Sequence, residues 1–212
     1  MKITDPYSPT IVPSVFTTKI DNPYFPLTPG TRTISEAATA DGLHRTTTDV
    51  TRDTRKVMGV DTVVVHDTVT VDNEPLEDTF DWYAQDRDGN VWYFGEVTKE
   101  YKDGSVDTAG SFEGGVNGAL PGIIMPAHPQ VGDQYRQEFL KNVAEDTARV
   151  LSLDESTCVT YGCFDGVLLT EEKDRLDPGV VDHKFYAKGI GSIFEQTVKG
   201  GDETIQLVSI SH

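Results

Sequence analysis

The chain has 212 residues and a mass of 23.3 kDa, which is ample for one substantial domain and short for two. Hydrophobic residues make up 37% and charged residues 25%, so a packed core is possible and wholesale disorder is excluded. Eighteen Lys and Arg against 35 Asp and Glu leave a formal charge of −17, which argues against nucleic acid or an anionic membrane surface as partner. No apolar run approaches the ~20 residues of a spanning helix, and no membrane span is expected.

The opening MKITDPYSPTIVPSV has one Lys, no apolar run of the ~7–15 residues of a secretory leader, and no small-residue cleavage site. A cytoplasmic protein is expected. The alternative is a secreted or lipid-anchored domain whose leader has been removed. Residues 1–30 hold six of the eleven prolines, Pro6, Pro9, Pro13, Pro23, Pro26 and Pro29. Proline fixes φ and removes a backbone donor, so this segment reads as an extended arm. Its apolar residues, including Ile20, Tyr24, Phe25 and Leu27, imply that the arm packs on the domain that follows.

From residue 31 the texture changes to Val, Thr and aromatic alternation with frequent turn signals. Strands are predicted at 31–39, 44–51, 62–71, 76–85 and 90–97. After a loop come 134–140, 147–153, 167–172, 181–187, 192–198 and 204–210. Between them stand Asp41-Gly42, Asp72-Asn73, Asp88-Gly89-Asn90, Asp165-Gly166, Pro178-Gly179 and Gly200-Gly201-Asp202, residues that tolerate the positive φ of tight hairpins. Val63-Val64-Val65 is too continuous for a half-exposed strand and implies burial on both faces. The expected fold is all-β. A single antiparallel curved sheet over 31–212 closes to a barrel or half-barrel, with a two-sheet sandwich as the alternative. The interior of such a barrel can hold a small ligand.

Two segments stand out. Asp81–Glu96 places Trp82, Tyr83, Trp92, Tyr93 and Phe94 around the turn Asp88-Gly89-Asn90. A calcium loop starting at Asp86 would need a bidentate Glu where Val97 stands, so the segment reads as a β-hairpin. Alternation sets Trp82 against Tyr83, and Trp92 and Phe94 against Tyr93. These aromatics line either the core or a ligand cavity. The second segment, 110–129, is rich in Gly and Pro, lacks a strand pattern, and carries Leu120, Ile123, Ile124 and Met125. It reads as a lid over an apolar ligand or as a structural plug.

Chemistry-bearing residues are sparse. The histidines lack ligand spacing and no phosphate loop or nucleophile elbow is present, so neither metal nor cofactor is expected. Cys158 and Cys163 either close a hairpin disulfide or sit as buried thiols. Glu113 in the Gly-rich loop, His128 at its end, Tyr135 and Gln137 are the candidate catalytic residues. Tyr83, Tyr93, Trp82, Trp92, Phe94, Ile124 and Met125 are the candidate binding set, for an apolar small molecule.

The runs Asp21-Asn22-Pro23-Tyr24-Phe25-Pro26-Leu27, Asp81–Glu96, Pro121-Gly122-Ile123-Ile124-Met125-Pro126-Ala127, Tyr135-Arg136-Gln137-Glu138-Phe139 and Phe185-Tyr186-Ala187-Lys188-Gly189 together resemble an actinobacterial family of β-rich, lipoprotein-like domains. A member without a leader resembles the small barrel cyclases of polyketide and polyether (tetronate) antibiotic pathways. That resemblance implies a cofactor-independent ring closure, [4+2] or related, of a hydrophobic polyketide-like molecule. Folding such a substrate is largely an entropy problem, and one or two donors suffice to polarise a carbonyl. The alternative it implies is a non-catalytic carrier for an apolar ligand or lipid.

Overall fold

In the computed structural model, which describes residues 1–3, 5–40 and 42–212, the alternating segments form sixteen strands. They are β1 Phe16–Thr17, β2 Arg32–Thr39, β3 Gly42–Val57, β4 Val60–Val71, β5 Glu74–Asp86, β6 Val91–Lys102, β7 Ser105–Asp107 and β8 Phe112–Glu113. The rest are β9 Leu120–Met125, β10 Gln134–Arg136, β11 Glu138–Phe139, β12 Asp146–Val159, β13 Gly162–Asp174, β14 Val181–Ala187, β15 Gly191–Lys199 and β16 Thr204–Ser211. A short 3₁₀ turn, Pro13–Val15, is the only helical element among the described residues.

Every pairing is antiparallel, and the ladder runs β10-β12-β13-β14-β15-β16-β2-β3-β4-β5-β6-β9-β11. This is the curved, nearly closed sheet that alternation implied. Asp165-Gly166, predicted as a turn, instead lies inside β13, and the chain reverses at Thr160-Tyr161. Asp72 and Asn73 take φ of 49° and 72°, the left-handed pair that a two-residue hairpin needs. Asp41, half of another predicted turn, lies outside the described residues.

One seam remains between β9 and β12, which share no ladder among the described residues. Residues 134–139 bridge it by switching partner: Gln134, Tyr135 and Arg136 pair with β12, whereas Glu138 and Phe139 pair with β9. At the switch the Gln137 N–H donates to the Asp146 carbonyl at 2.9 Å. The crossing is close. A Cβ on Gly122 would stand 2.3 Å from the Gln137 carbonyl carbon and 2.5 Å from the Arg136 oxygen. Only a residue without Cβ fits there.

The expectation that 110–129 lacks strands is therefore corrected, since it contains β8 and β9, and β9 is a wall strand. Pro121 and Gly122 break its pattern because the strand sits at the seam, where a missing N–H and a missing Cβ are both tolerated. Strands β1 and β7 were also hidden by their length. The predicted strands at 44–51, 147–153 and 167–172 run on further than expected, to Val57, Val159 and back to Gly162. Register shifts at Val50/Thr54 and Ser152/Glu155 let these long hairpins bend.

The arm covers one end of the barrel. Ile20, Tyr24 and Leu27 are buried in the main core with Val50, Val63, Val65, Met125 and Leu168. Two amides pin the arm. Gln85 Oε1 accepts the N–H groups of Asp21 and Asn22, at 3.0 and 2.9 Å. Asn22 Nδ2 donates to the carbonyls of Gly89 and Pro126 at 3.0 and 3.1 Å. Earlier in the arm, Phe16 packs edge-on against Trp92 and Phe94, over a cluster separate from the main core.

Gly122→Ala should disrupt closure, because the clash is with backbone that no rotamer change relieves. A loss of about 3 kcal/mol, visible in a denaturant titration, is the expected result. An unchanged unfolding midpoint would show that the crossing is looser than described.

Candidate functional site

Beneath the arm lies a cavity of about 330 Å³. Its apolar wall includes Phe25, Leu27, Val50, Val65, Tyr83, Ile124 and Ile190. Its polar wall includes Thr33, Ser35, Thr46, Thr48, Asp67, Lys184, Tyr186 and Glu195. Inward-facing positions alternate along β2, β3 and β4, and on β2 and β3 they carry small hydroxyls in place of bulky side chains. That leaves the space.

The polar groups form two connected sets. In the first, the Tyr93 hydroxyl lies 2.6 Å from Asp81 Oδ1 and 2.9 Å from Glu96 Oε2. A phenol has one proton to donate, so with both bonds made one of the two acids must itself carry a proton. Burial, foremost, pushes the Asp81 carboxyl well above the ordinary range, and the charge of Asp67 adds to it. Burial likewise raises Glu96 to about 7, against the hydrogen bond from Tyr93, which lowers it. Asp67 accepts from the Thr48 hydroxyl, and burial raises it to about 6. Tyr83 stacks on Tyr93 with ring centroids 4.9 Å apart, joining this set to the cavity wall.

The second set surrounds Glu172. The carboxylate accepts from Tyr186 Oη at 3.0 Å and Thr170 Oγ1 at 2.9 Å, and from the Gln137 amide. Burial pushes this carboxyl up, but Lys184 and the three hydrogen bonds outweigh it, and it ends below its ordinary value. Lys184 stands 3.2 Å from Glu172 and 3.6 Å from Glu195, and those two charges raise its pKa. Between the sets, burial and the charge of Asp146 raise Glu138 to about 9. Burial, with Asp174, raises Asp146 to about 6.

The sequence candidates divide. Tyr135 and Gln137, on one inward face of the bridging segment, come together near Glu172. Glu113 does not join them. It pairs with Arg55 at 2.7 Å, and the Arg55 guanidinium caps the Trp82 ring at 4.1 Å in an outer cluster. His128 is exposed in the loop after β9. Of the binding set, Tyr83 and Ile124 line the cavity, and Tyr93 stands behind Tyr83. Trp82 and Phe94 are buried in a separate cluster under Phe16, and Met125 is wholly enclosed in the core. Trp92 is tied by its indole N–H to Asp86 Oδ2 at 2.9 Å. Asp86 also accepts the Asp88 and Asn90 N–H groups, which is hairpin chemistry. Asp67, Asp81, Glu172 and Lys184 were missed. Asp67, Asp81 and Lys184 each stand two residues from an apolar or aromatic neighbour, Val65, Tyr83 and Tyr186, whereas Glu172 lies between Thr170 and Asp174 and carries no such mark. For those three, charge in the phase of that neighbour was the available signal.

No family model matches the chain, and no curated protein matches it. Two solved structures do. One, from Bacteroides fragilis, is named as an exported protein with a YmcC-like fold; it shares 13% identity at a TM-score of 0.54, over 90% of this chain and 99% of that one. The other, from Parabacteroides distasonis, is named as a lipoprotein; it shares 12% identity at a TM-score of 0.52 over the same shares of the chains. At such identity the likeness is one of fold.

The raised carboxyls set the sign of the pH response. Glu138, Glu96, Asp67 and Asp146 hold protons in the folded chain at pH values where the unfolded chain has lost them. Stability should fall as pH rises from about 4.5 through 6, 7 and 9. Thermal melts between pH 5 and 9 should show the melting temperature dropping. Glu138→Gln should flatten the decline above pH 7. If the variant keeps the full slope, the decline comes from surface repulsion instead.

Proposed function

We propose that this chain is a non-catalytic binding protein of the exported or lipid-anchored kind, which takes a small ligand into the barrel. The cavity beneath the arm carries this reading. Its volume lies within the range of small-molecule sites, and it combines an apolar wall with a few convergent polar groups. The two structural neighbours, named as exported protein and lipoprotein, support the location. So does the bond between Cys158 and Cys163, which face each other across the β12–β13 hairpin, since disulfides persist mainly in oxidising compartments. The ring-closing reading draws no comparable support. A chamber whose polar wall carries Asp67, Glu195 and Lys184 is unlike the wholly apolar interior that such catalysis would use.

Filling the cavity tests the proposal. Ser35→Phe points a ring into the space from β2, so binding should vanish while the melting temperature holds. Calorimetry with octanol, octylamine and octanoate supplies the readout. If none of the three binds the unaltered protein, the binding reading fails.

The location is tested by the thiols. Protein recovered from the native host should resist alkylation at Cys158 and Cys163 until reduced. Reduction should cost about 2 kcal/mol, as expected for so short a loop. Free thiols in that material would place the chain in a reducing compartment.

A further inference from the structure

The cavity's charges are unequally matched. Lys184, its one ammonium among the described residues, is satisfied by Glu172 at 3.2 Å and Glu195 at 3.6 Å. It has little left to offer an anionic ligand. Asp67 faces the same cavity from β4 and forms no ion pair among the described residues. Its chain neighbour His66 is bonded to Asp78 at 2.6 Å instead. Asp81 stands one strand away, opposite Val65, and likewise has no cation. The two carboxyls act on each other through a wall with little water. A positive charge in the cavity would be attracted by Asp67, with the single charge that the Asp81 and Glu96 pair retains behind it, whereas a carboxylate would meet repulsion.

A second observation concerns the core behind Tyr186. Tyr135, 3% exposed, has a buried hydroxyl with no hydrogen-bond partner among the described residues. It is packed in the same core as Tyr186, which lines the cavity, and acts on it electrostatically. A buried hydroxyl without a partner is costly, and this one stands in the core behind Tyr186, since Tyr135 itself does not line the cavity.

Resting on the binding reading above, we propose that the ligand is an amphiphilic amine. Its ammonium lies against Asp67, and its hydrocarbon lies against Phe25, Leu27, Ile124 and Tyr83. The Tyr83 face adds attraction for the cation, because an aromatic ring is negative at its face. The hydroxyls of Thr33, Ser35 and Thr46 accept the remaining N–H groups. The hydrophobic part supplies affinity, and Asp67 supplies the choice of charge.

Calorimetry with three probes of one chain length decides the matter. Octylamine should bind at least about tenfold more tightly than octanol, the worth of one charge-assisted hydrogen bond, and octanoate should bind weakest. In Asp67→Asn the octylamine advantage should shrink to near unity while octanol affinity holds. Octanoate binding as well as octylamine would overturn the proposal and leave the binding reading intact. So would an octylamine advantage that survives in Asp67→Asn. Absence of binding by all three removes both. The comparison on the unaltered protein stands even if the variant folds poorly.

Discussion

Everything inside this barrel depends on the approach of two backbones at Gly122 and Gln137. A sheet of this length with open edges would expose two rows of unpaired N–H and C=O groups. Here the segment 134–139 spends its first half on β12 and its second on β9. That switch requires the chain to cross β9 at a distance which any Cβ would block. Closure therefore rests on a missing side chain as well as on hydrogen bonds. It also brings Tyr135 and Gln137, two residues apart on the same face, into the interior.

Closure has an electrostatic consequence. Buried carboxyls on β4, β5, β6, β12 and β13 act on one another, and among the described residues Lys184 is the ammonium that offsets them. The chain manages this in two ways. Around Glu172 it supplies a cation and three donors, enough to keep the group ionised. Around Asp81 and Glu96 it supplies a single phenol, so a retained proton replaces the missing cation. The two sets solve one problem by opposite means.

The fold was largely legible because hairpin chemistry and alternation are local signals. Asp72-Asn73 names its own turn, and the inward phase of β4 can be read in Val63 and Val65. Strands too short to show a period, such as Phe112–Glu113, carry no such signal, and β9 conceals itself behind Pro121 and Gly122. The aromatic hairpin was legible in its alternation, with Tyr83 and Tyr93 on one face and Trp82 and Phe94 on the other. Which face was inner was not. That depends on Phe16 in the arm, some 70 residues away, covering the tryptophan side. Glu113 illustrates the same limit, since nothing near it in sequence announces Arg55.

The inward carboxyls are the features hardest to justify on stability alone. Burying a charge without a partner disfavours folding, and replacing Asp67 or Asp81 with an apolar residue would remove that cost. Local rules in this chain are otherwise mostly kept: apart from Met58 at a φ of 50°, the positive-φ positions of the hairpin turns fall on Gly, Asn or Asp. Departures from such consistency concentrate at functional sites, where stability is given up for chemistry. Asp67 combines the departure with access to an open cavity, and Glu96 does not line it. The cost at Asp81 and Glu96 is then understood as support for Asp67. With one proton retained between them, the single negative charge that remains on the pair deepens the attraction for a cation held by Asp67.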